Sequence, residues 1–127
     1  MRRMLWLGTP ALVLLAACGG GGGGSNHPAT CSPSGAQLEI TAKNNAYDKD
    51  CLATPAGQAF TITFHNDDAG TSHNVDIVTS ASGELFKGTT VTGVTTTTYH
   101  AGSLKPGTYE FKCDVHPDTM HGTFIVK

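Results

Sequence analysis

The chain has 127 residues, of which 14% are charged, and its formal net charge at pH 7 is −2. A chain of this length is enough for one small domain and little besides. Because Lys and Arg are few and form no cluster, nucleic-acid binding is not expected.

The N-terminal segment has the charge and hydropathy order of an export signal. Arg2 and Arg3 precede an apolar run from Met4 to Ala17, which is shorter than the roughly 20 residues of a membrane-spanning helix. The run leads into Cys18 through Leu-Ala-Ala, which resembles a bacterial lipobox, where a peptidase cuts before the cysteine and its sulfur carries a diacylglycerol. Residues 1–17 are therefore predicted to be a lipoprotein signal peptide. Ordinary cleavage, leaving Cys18 as a thiol, is the alternative, and the paired arginines also permit twin-arginine export.

Residues 18–35 are predicted to form a tether between the anchor and the domain. Gly19 to Gly24 and Ser25 supply no side chains for a core and behave as a flexible linker. One acyl chain holds a protein weakly and two hold it firmly, so full lipidation of Cys18 would keep the domain at a membrane. We therefore expect an exported protein, anchored at the periplasmic or extracellular face of a bacterial membrane. Loss of both arginines with the signal would leave six basic against ten acidic residues, a net charge of about −4.

Residues 36–127 are predicted to form the folded domain, because their apolar residues alternate with a period of two. Such alternation indicates half-buried β-strands. It occurs, in chain order, at Leu38–Ala42, Phe60–Phe64, Val75–Ile77, Tyr109–Cys113 and Phe124–Val126, with a β-branched run at Thr95–Tyr99. Turn sequences separate these segments at Thr54–Gly57, Asn66–Gly70 and Lys105–Gly107. Only Ala81–Lys87 could hold an irregular helical turn. The pattern predicts an all-β fold, a two-sheet sandwich of about seven or eight strands.

The cysteines divide into three groups. Four cysteines in an exported chain would allow three disulfide connectivities. Lipidation would remove Cys18 and leave an odd number. Cys31 and Cys51 flank the first predicted strand and share no neighbouring ligand types, so we expect them to pair, which would stabilise the fold by about 3 kcal/mol. A pairing of either one with Cys113 stays open and would destroy any metal site at Cys113.

Four metal donors lie at the ends of predicted strands. His73 shares the inward parity of the apolar residues that follow it, and Cys113 shares that of the aromatic residues before it. His116 and Met120 follow Cys113 within one short loop, which Pro117 stiffens. Two imidazoles, a thiolate and a weak axial thioether make the ligand set of a blue-copper site. Zinc would gain little from the thioether.

The same segments carry a family resemblance that covers roughly residues 36–127. The run Gly107–Pro117, which ends Cys113-Asp-Val-His116-Pro117, resembles the cupredoxin family of plastocyanin, amicyanin and pseudoazurin. So do Pro55–Gly57, Phe64–Asp67 and Ser72–Val75. The resemblance implies a Greek-key β-sandwich that holds one type 1 copper.

By matching positions, the resemblance assigns a role to each residue of the site. It implies His73, Cys113 and His116 as the strong ligands and Met120 as the axial ligand. It implies that Asn74 hydrogen-bonds and braces the ligand loop, and such bracing tunes a metal site. Three residues separate His116 from Met120, one fewer than in plastocyanin and pseudoazurin and one more than in amicyanin. With the signal removed, Met120 is the only methionine left.

The function implied is electron transfer and not catalysis. A monomer would shuttle single electrons between redox proteins, such as a cytochrome or a respiratory or photosynthetic membrane complex, which would dock transiently near His116. A copper carrier or storage lipoprotein is the alternative, although such proteins favour exposed Met or His clusters. A copper enzyme subunit would need a second metal centre, and the chain offers no further Cys-His cluster. No metal role is assigned to His27, His65, His100 or His121.

Overall fold

A computed structural model describes residues 29–127 of the chain. The predicted signal peptide, the lipidation of Cys18, the glycine run and His27 lie outside the described residues. The first strand begins at Gln37, one residue after the predicted start of the domain. Within residues 29–127, no helix is long and apolar enough to cross a bilayer.

The described residues form eleven strands and no helix. They are β1 Gln37–Lys43, β2 Ala46–Tyr47, β3 Cys51–Thr54, β4 Phe60–Asn66, β5 Ser72–His73, β6 Asp76–Val78, β7 Glu84–Lys87, β8 Val91–Thr92, β9 Thr95–Ala101, β10 Gly107–Lys112 and β11 His121–Val126. Each predicted strand is present. The structure has more strands than the seven or eight predicted because it includes short strands of two residues, namely β2, β5 and β8.

Two main sheets and one short ribbon account for all of these strands. A four-stranded sheet has the order β2-β1-β4-β9, a five-stranded sheet has the order β3-β11-β10-β6-β7, and β5 pairs with β8. The β1–β4 and β3–β11 pairs are parallel, while the other pairs are antiparallel. This arrangement confirms the predicted all-β sandwich.

The core lies between the two main sheets and follows the alternation of the sequence. In β4, every second residue from Phe60 to Asn66 is buried, and the residues between them are partly exposed. Phe60 of one sheet meets Phe124 of the other with ring centroids 5.5 Å apart. Burying side chains of this size stabilises a fold by about 1.5–3 kcal/mol each. The fully buried large apolar residues include Ile40, Ile62, Phe64, Ile77, Phe111, Met120 and Phe124.

The prediction that Ala81–Lys87 could hold an irregular helical turn is wrong for the second half of this segment. Residues 80 and 81 form a turn, but Glu84–Lys87 is a strand that pairs with β6 at the edge of the five-stranded sheet. Three of its four residues are exposed, so it carries no alternation that the sequence could reveal. Its backbone pairing with β6 therefore determines its conformation.

Cysteine pairing leaves one thiol inside the sandwich. Cys31 and Cys51 are joined by a disulfide with a Cα–Cα distance of 6.0 Å. This bond ties the segment before β1 to the start of β3. Cys113 is free and fully buried.

Candidate metal centre

Three potential metal ligands converge at one end of the sandwich, called here the ligand pole. The pole is formed by the β1–β2 turn, the β4–β5 loop and the β10–β11 loop. There the donor atoms of His73, Cys113 and His116 lie within 4.8 Å of one another. Nδ1 of His73 is 3.8 Å from Sγ of Cys113 and 3.1 Å from Nδ1 of His116. Among residues 29–127, this is the one group of three or more His, Cys, Asp or Glu residues so arranged.

Exposure differs between the two imidazoles. His73 ends the short strand β5, pairs with Val91 of β8 and is fully buried. His116 lies in the β10–β11 loop and is only partly buried. The planes of the two rings are inclined by 56°. His116 is therefore the member of the group that reaches the protein surface.

Backbone hydrogen bonds close the loop that carries Cys113, His116 and Met120. The N–H of Cys113 donates to the carbonyl of Met120 at 2.9 Å, which joins the two ends of the loop. The N–H groups of Thr119 and Met120 both donate to the carbonyl of His116, at 3.3 and 2.9 Å. Pro117, which has a fixed φ and no N–H to leave unpaired, suits the start of this turn. The loop is held by its own backbone, which limits how far its donors can move.

Met120 occupies the inner end of this loop. Its side chain is fully buried and belongs to the hydrophobic core. It precedes β11 directly, so the pairing of β11 with β10 fixes the backbone from which its thioether projects. Met120 thus lies at the base of the loop that brings Cys113 and His116 together.

Asn74 connects the strand of one imidazole to the loop of the other. Its Oδ1 accepts the N–H of Asp114 at 2.9 Å. Its Nδ2 donates to Oδ1 of Asp76 at 2.8 Å and to the carbonyl of Gly88 at 3.0 Å. The hydroxyl of Tyr47 donates to the carbonyl of Asn74. Through these hydrogen bonds, Asn74 links the segment after β5 to the β10–β11 loop.

Two carboxyl groups beside Asn74 have opposite electrostatic environments. Burial, and then the hydrogen bond to Asp114, raise the pKa of Asp76 to about 7. The same hydrogen bond from Asp76, together with Nζ of Lys87 at 2.7 Å, lowers the pKa of Asp114 to about 2. Below about pH 7, the pair therefore holds one proton, which lies on the buried Asp76.

A third carboxylate contacts an imidazole of the site directly. Oδ2 of Asp68 lies 2.8 Å from Nε2 of His73. Backbone N–H groups of Asn45 and Asn44 donate to the same carboxylate and hold its pKa at about 2. Sequence reasoning missed Asp68 and Tyr47, because an Asp after a strand end and a Tyr in a two-residue strand have no distinctive local signal. It also missed Asp76, because the alternation at Val75–Ile77 predicts an outward side chain there, whereas all three residues of β6 are buried.

The other histidines within residues 29–127 lie away from this group. Nε2 of His65 contacts Oε1 of Glu39 at 2.7 Å on the outer face of the four-stranded sheet. His100 and His121 are exposed on strands β9 and β11. An open groove of about 530 Å³ runs over the outer face of the five-stranded sheet and includes His121 in its lining. That groove and the ligand group involve different residues.

The chemistry of the donors at the ligand pole fits copper. A buried thiol with no disulfide partner, two imidazole nitrogens and a buried thioether combine soft and intermediate ligands. Thiolate and thioether sulfur suit Cu(I), and imidazole suits both oxidation states. The spacing of the three closest donor atoms leaves room for one ion between them. These residues would therefore fit a type 1 copper site.

Solved structures of known proteins share this fold. Auracyanin from Roseiflexus castenholzii is 24% identical with a TM-score of 0.65, over 72% of this chain and 97% of that one. Auracyanin A from Chloroflexus aurantiacus, described as a "blue" copper protein, is 24% identical with a TM-score of 0.65, over 73% and 99%. A reduced Cu(I) form of an amicyanin variant is 27% identical with a TM-score of 0.54, over 71% and 81%.

Sequence comparison gives the family directly. No curated protein sequence matches the chain. A family model described as "Cupredoxin-like domain" matches residues 11–126, nearly the full length. The chain therefore belongs to the cupredoxin-like domain family.

Proposed function

We propose that this protein is a type 1 copper electron carrier, with His73, Cys113 and His116 as strong ligands and Met120 as the axial ligand. The observation that carries the proposal is the convergence of two Nδ1 atoms and one Sγ within 4.8 Å. Two of these donors, from Cys113 and His116, lie in a loop whose ends are hydrogen-bonded, and the third comes from His73 at the end of β5. A bound copper ion would supply the exchange of one electron between Cu(I) and Cu(II). We place the protein among electron carriers and not enzymes.

The surroundings of the donors favour fast electron exchange. Cys113 and His73 are fully buried in strands or at their ends, and the β10–β11 loop is closed on itself. Asn74 joins that loop to the segment after β5. Donors that are held in this way change position little when the charge at the site changes. A small rearrangement lowers the barrier to electron transfer, because less of the structure and solvent must reorganise.

The surface near His116 is suited to brief contact with another redox protein. Val115, beside His116, is 48% exposed, and Pro117 is also exposed. Val94 is 71% exposed and follows Gly93, which pairs with Ala69 of the β4–β5 loop at the same pole. A small apolar surface around the exposed imidazole favours weak docking, which suits transient redox partners. A cytochrome or a membrane respiratory or photosynthetic complex would be the partner.

The location of the carrier is proposed from the N-terminal sequence. Cleavage before Cys18 and lipidation of its sulfur would anchor the chain, and the glycine run would serve as a flexible linker. The domain would then act at the outer face of a bacterial membrane. A disulfide between Cys31 and Cys51 is consistent with an oxidising compartment.

Copper loading of the full-length protein tests the ligand assignment. We expect an intense visible absorption band from thiolate-to-copper charge transfer in the oxidised protein. Cys113→Ser should abolish the band, whereas the matched control Cys18→Ser should keep it. Absence of the band in the wild-type protein, or its survival in Cys113→Ser, would refute the assignment.

A second measurement separates an electron carrier from a copper carrier. Mixed with a reduced soluble cytochrome, the oxidised protein should take up electrons much faster than it loses copper to a chelator. Transfer of copper to the chelator at a rate equal to or above that of electron uptake would favour the copper-carrier alternative. Both rates can be followed by stopped-flow absorbance.

A further inference from the structure

The carboxylate of Asp68 is the group that meets the buried imidazole on the side away from the other donors. Its Oδ2 lies 2.8 Å from Nε2 of His73, while Nδ1 of the same ring faces Cys113 and His116. His73 is fully buried, and the side chain of Asp68 is only 12% exposed. The contact is therefore shielded from water on both sides.

The position of this carboxylate does not depend on His73. Its Oδ1 accepts the N–H of Asn44, and its Oδ2 accepts the N–H of Asn45 at 2.9 Å. Both asparagines have left-handed φ values, 54° and 55°, which short polar side chains tolerate in a tight turn. The N–H of Asp68 in turn donates to Oδ1 of Asn66 at 3.0 Å. The β1–β2 turn and the end of β4 thus fix the carboxylate before the imidazole meets it.

An acceptor at Nε2 decides which tautomer of His73 forms. A carboxylate can only accept, so Nε2 must carry the ring proton to make this hydrogen bond. Nδ1 then has its lone pair free and directed at the space shared with Cys113 and His116. A neutral imidazole with a free Nδ1 is the form that binds a metal, and an acceptor on the other nitrogen commonly sets that form.

We propose that Asp68 is a positioning residue, which holds His73 as the Nε2–H tautomer and favours the oxidised state of the site through its negative charge. The tautomer part rests on the contact between Asp68 and Nε2 of His73 alone. The redox part rests on the proposed function. A carboxylate hydrogen-bonded to a ligand histidine makes that ligand more basic, and a more basic donor stabilises Cu(II) relative to Cu(I).

The tautomer can be measured without any metal. In the metal-free full-length protein, ¹⁵N NMR should show His73 protonated at Nε2, with slow exchange of that proton. In Asp68→Ala, the fraction of the Nδ1–H tautomer should rise, because the acceptor is gone. Protonation at Nδ1 in the wild-type protein, or an unchanged tautomer in Asp68→Ala, would overturn the positioning role.

The redox effect is tested with a variant that keeps the acceptor and removes the charge. In Asp68→Asn, the side-chain oxygen can still accept from Nε2 of His73 and from the N–H of Asn45, while the hydrogen bond from the N–H of Asn44 is lost. Loss of a unit charge one imidazole ring away from the metal should raise the Cu(I)-to-Cu(II) ratio at fixed potential by about tenfold, or about 59 mV for a one-electron couple. The matched control is Asp67→Asn, which removes the same charge from an exposed neighbour in the same loop.

The midpoint potentials and the charge-transfer band together distinguish the role of Asp68 from the proposed electron-transfer function. A rise in the midpoint potential of Asp68→Asn that clearly exceeds that of Asp67→Asn supports the inference. Equal shifts in the two variants, or none, would overturn its redox part, even if the wild-type protein shows the charge-transfer band. A wild-type protein without that band refutes the proposed function, whereas the tautomer of His73 would still decide the positioning role of Asp68.

Discussion

The buried carboxyl group of Asp76 should make the stability of the metal-free protein depend on pH. Asp76 is 1% exposed, and its pKa is raised from 3.8 to about 7. Because the folded protein holds this proton more tightly than the unfolded chain, the resulting stabilisation is complete below pH 3.8. It is lost progressively between pH 3.8 and about 7, and above that range folding must leave a charged carboxylate buried beside Asp114.

Asp76→Asn removes this pH dependence while keeping the hydrogen bonds. The new side chain can accept from Nδ2 of Asn74 and donate to Asp114, as the protonated acid does. At 1.36 kcal/mol per pKa unit, the shift limits the increase in the free energy of unfolding of Asp76→Asn over wild type to about 4 kcal/mol at pH 8. Local relaxation and water entry reduce such penalties, so we expect the variant to be about 2–3 kcal/mol more stable than wild type there.

Urea unfolding followed by far-ultraviolet circular dichroism measures this difference. The free energy of unfolding should be determined for metal-free full-length protein between pH 5 and 9. The gap between Asp76→Asn and wild type should widen from pH 5 to about pH 7 and stay constant above that, because the carboxyl is then ionised in both the folded and the unfolded state. Glu84→Gln, which removes an exposed carboxylate from the neighbouring strand β7, is the control and should follow the wild-type profile. Parallel profiles for Asp76→Asn and wild type between pH 5 and 7 would show that the buried proton does not cause the pH dependence.

Three further substitutions test the axial donor, the packing and the disulfide. Met120→Leu should keep the charge-transfer band and raise the reduction potential, because loss of the axial sulfur favours Cu(I); a lower potential would contradict the assignment. Gly122→Ala should reduce the free energy of unfolding by about 1–3 kcal/mol, because its Cβ would lie 2.4 Å from a ring carbon of Phe111. Gly102→Ala is the control, because a Cβ at Gly102 would have no atom within 4 Å. Equal losses of unfolding free energy in the two variants would contradict this packing effect. The double variant Cys31→Ser/Cys51→Ser should lose about 3 kcal/mol and keep the band, so a colourless variant would mean that the disulfide also shapes the site.

The sequence predicted the parts of the fold and site that depend on local pattern. Period-two alternation located β1, β4, β10 and β11, because one face of each strand is buried against the core. The strand parity of His73 and Cys113 placed both side chains inward, and the structure brings their donor atoms to 3.8 Å. The short loop after Cys113 necessarily carries His116 and Met120 to the same region.

What the sequence could not reveal depends on contacts between distant segments. Asp68 meets Asn44 and Asn45 across 24 and 23 residues, and Tyr47 reaches Asn74 across 27. These partners are brought together by the parallel pairing of β1 with β4 and by the closure of the two sheets. Edge strands such as β7 are mostly exposed, so their sequences show no alternation. Local composition carries no information about either kind of contact.

We propose that two imidazoles and one thiolate hold a single copper ion at the ligand pole. The decisive measurement is electron paramagnetic resonance of the oxidised, copper-loaded full-length protein. We expect a type 1 spectrum, in which delocalisation of the unpaired electron onto Sγ of Cys113 narrows the copper hyperfine splitting. The wide splitting of ordinary cupric sites would show that the thiolate does not bind the copper.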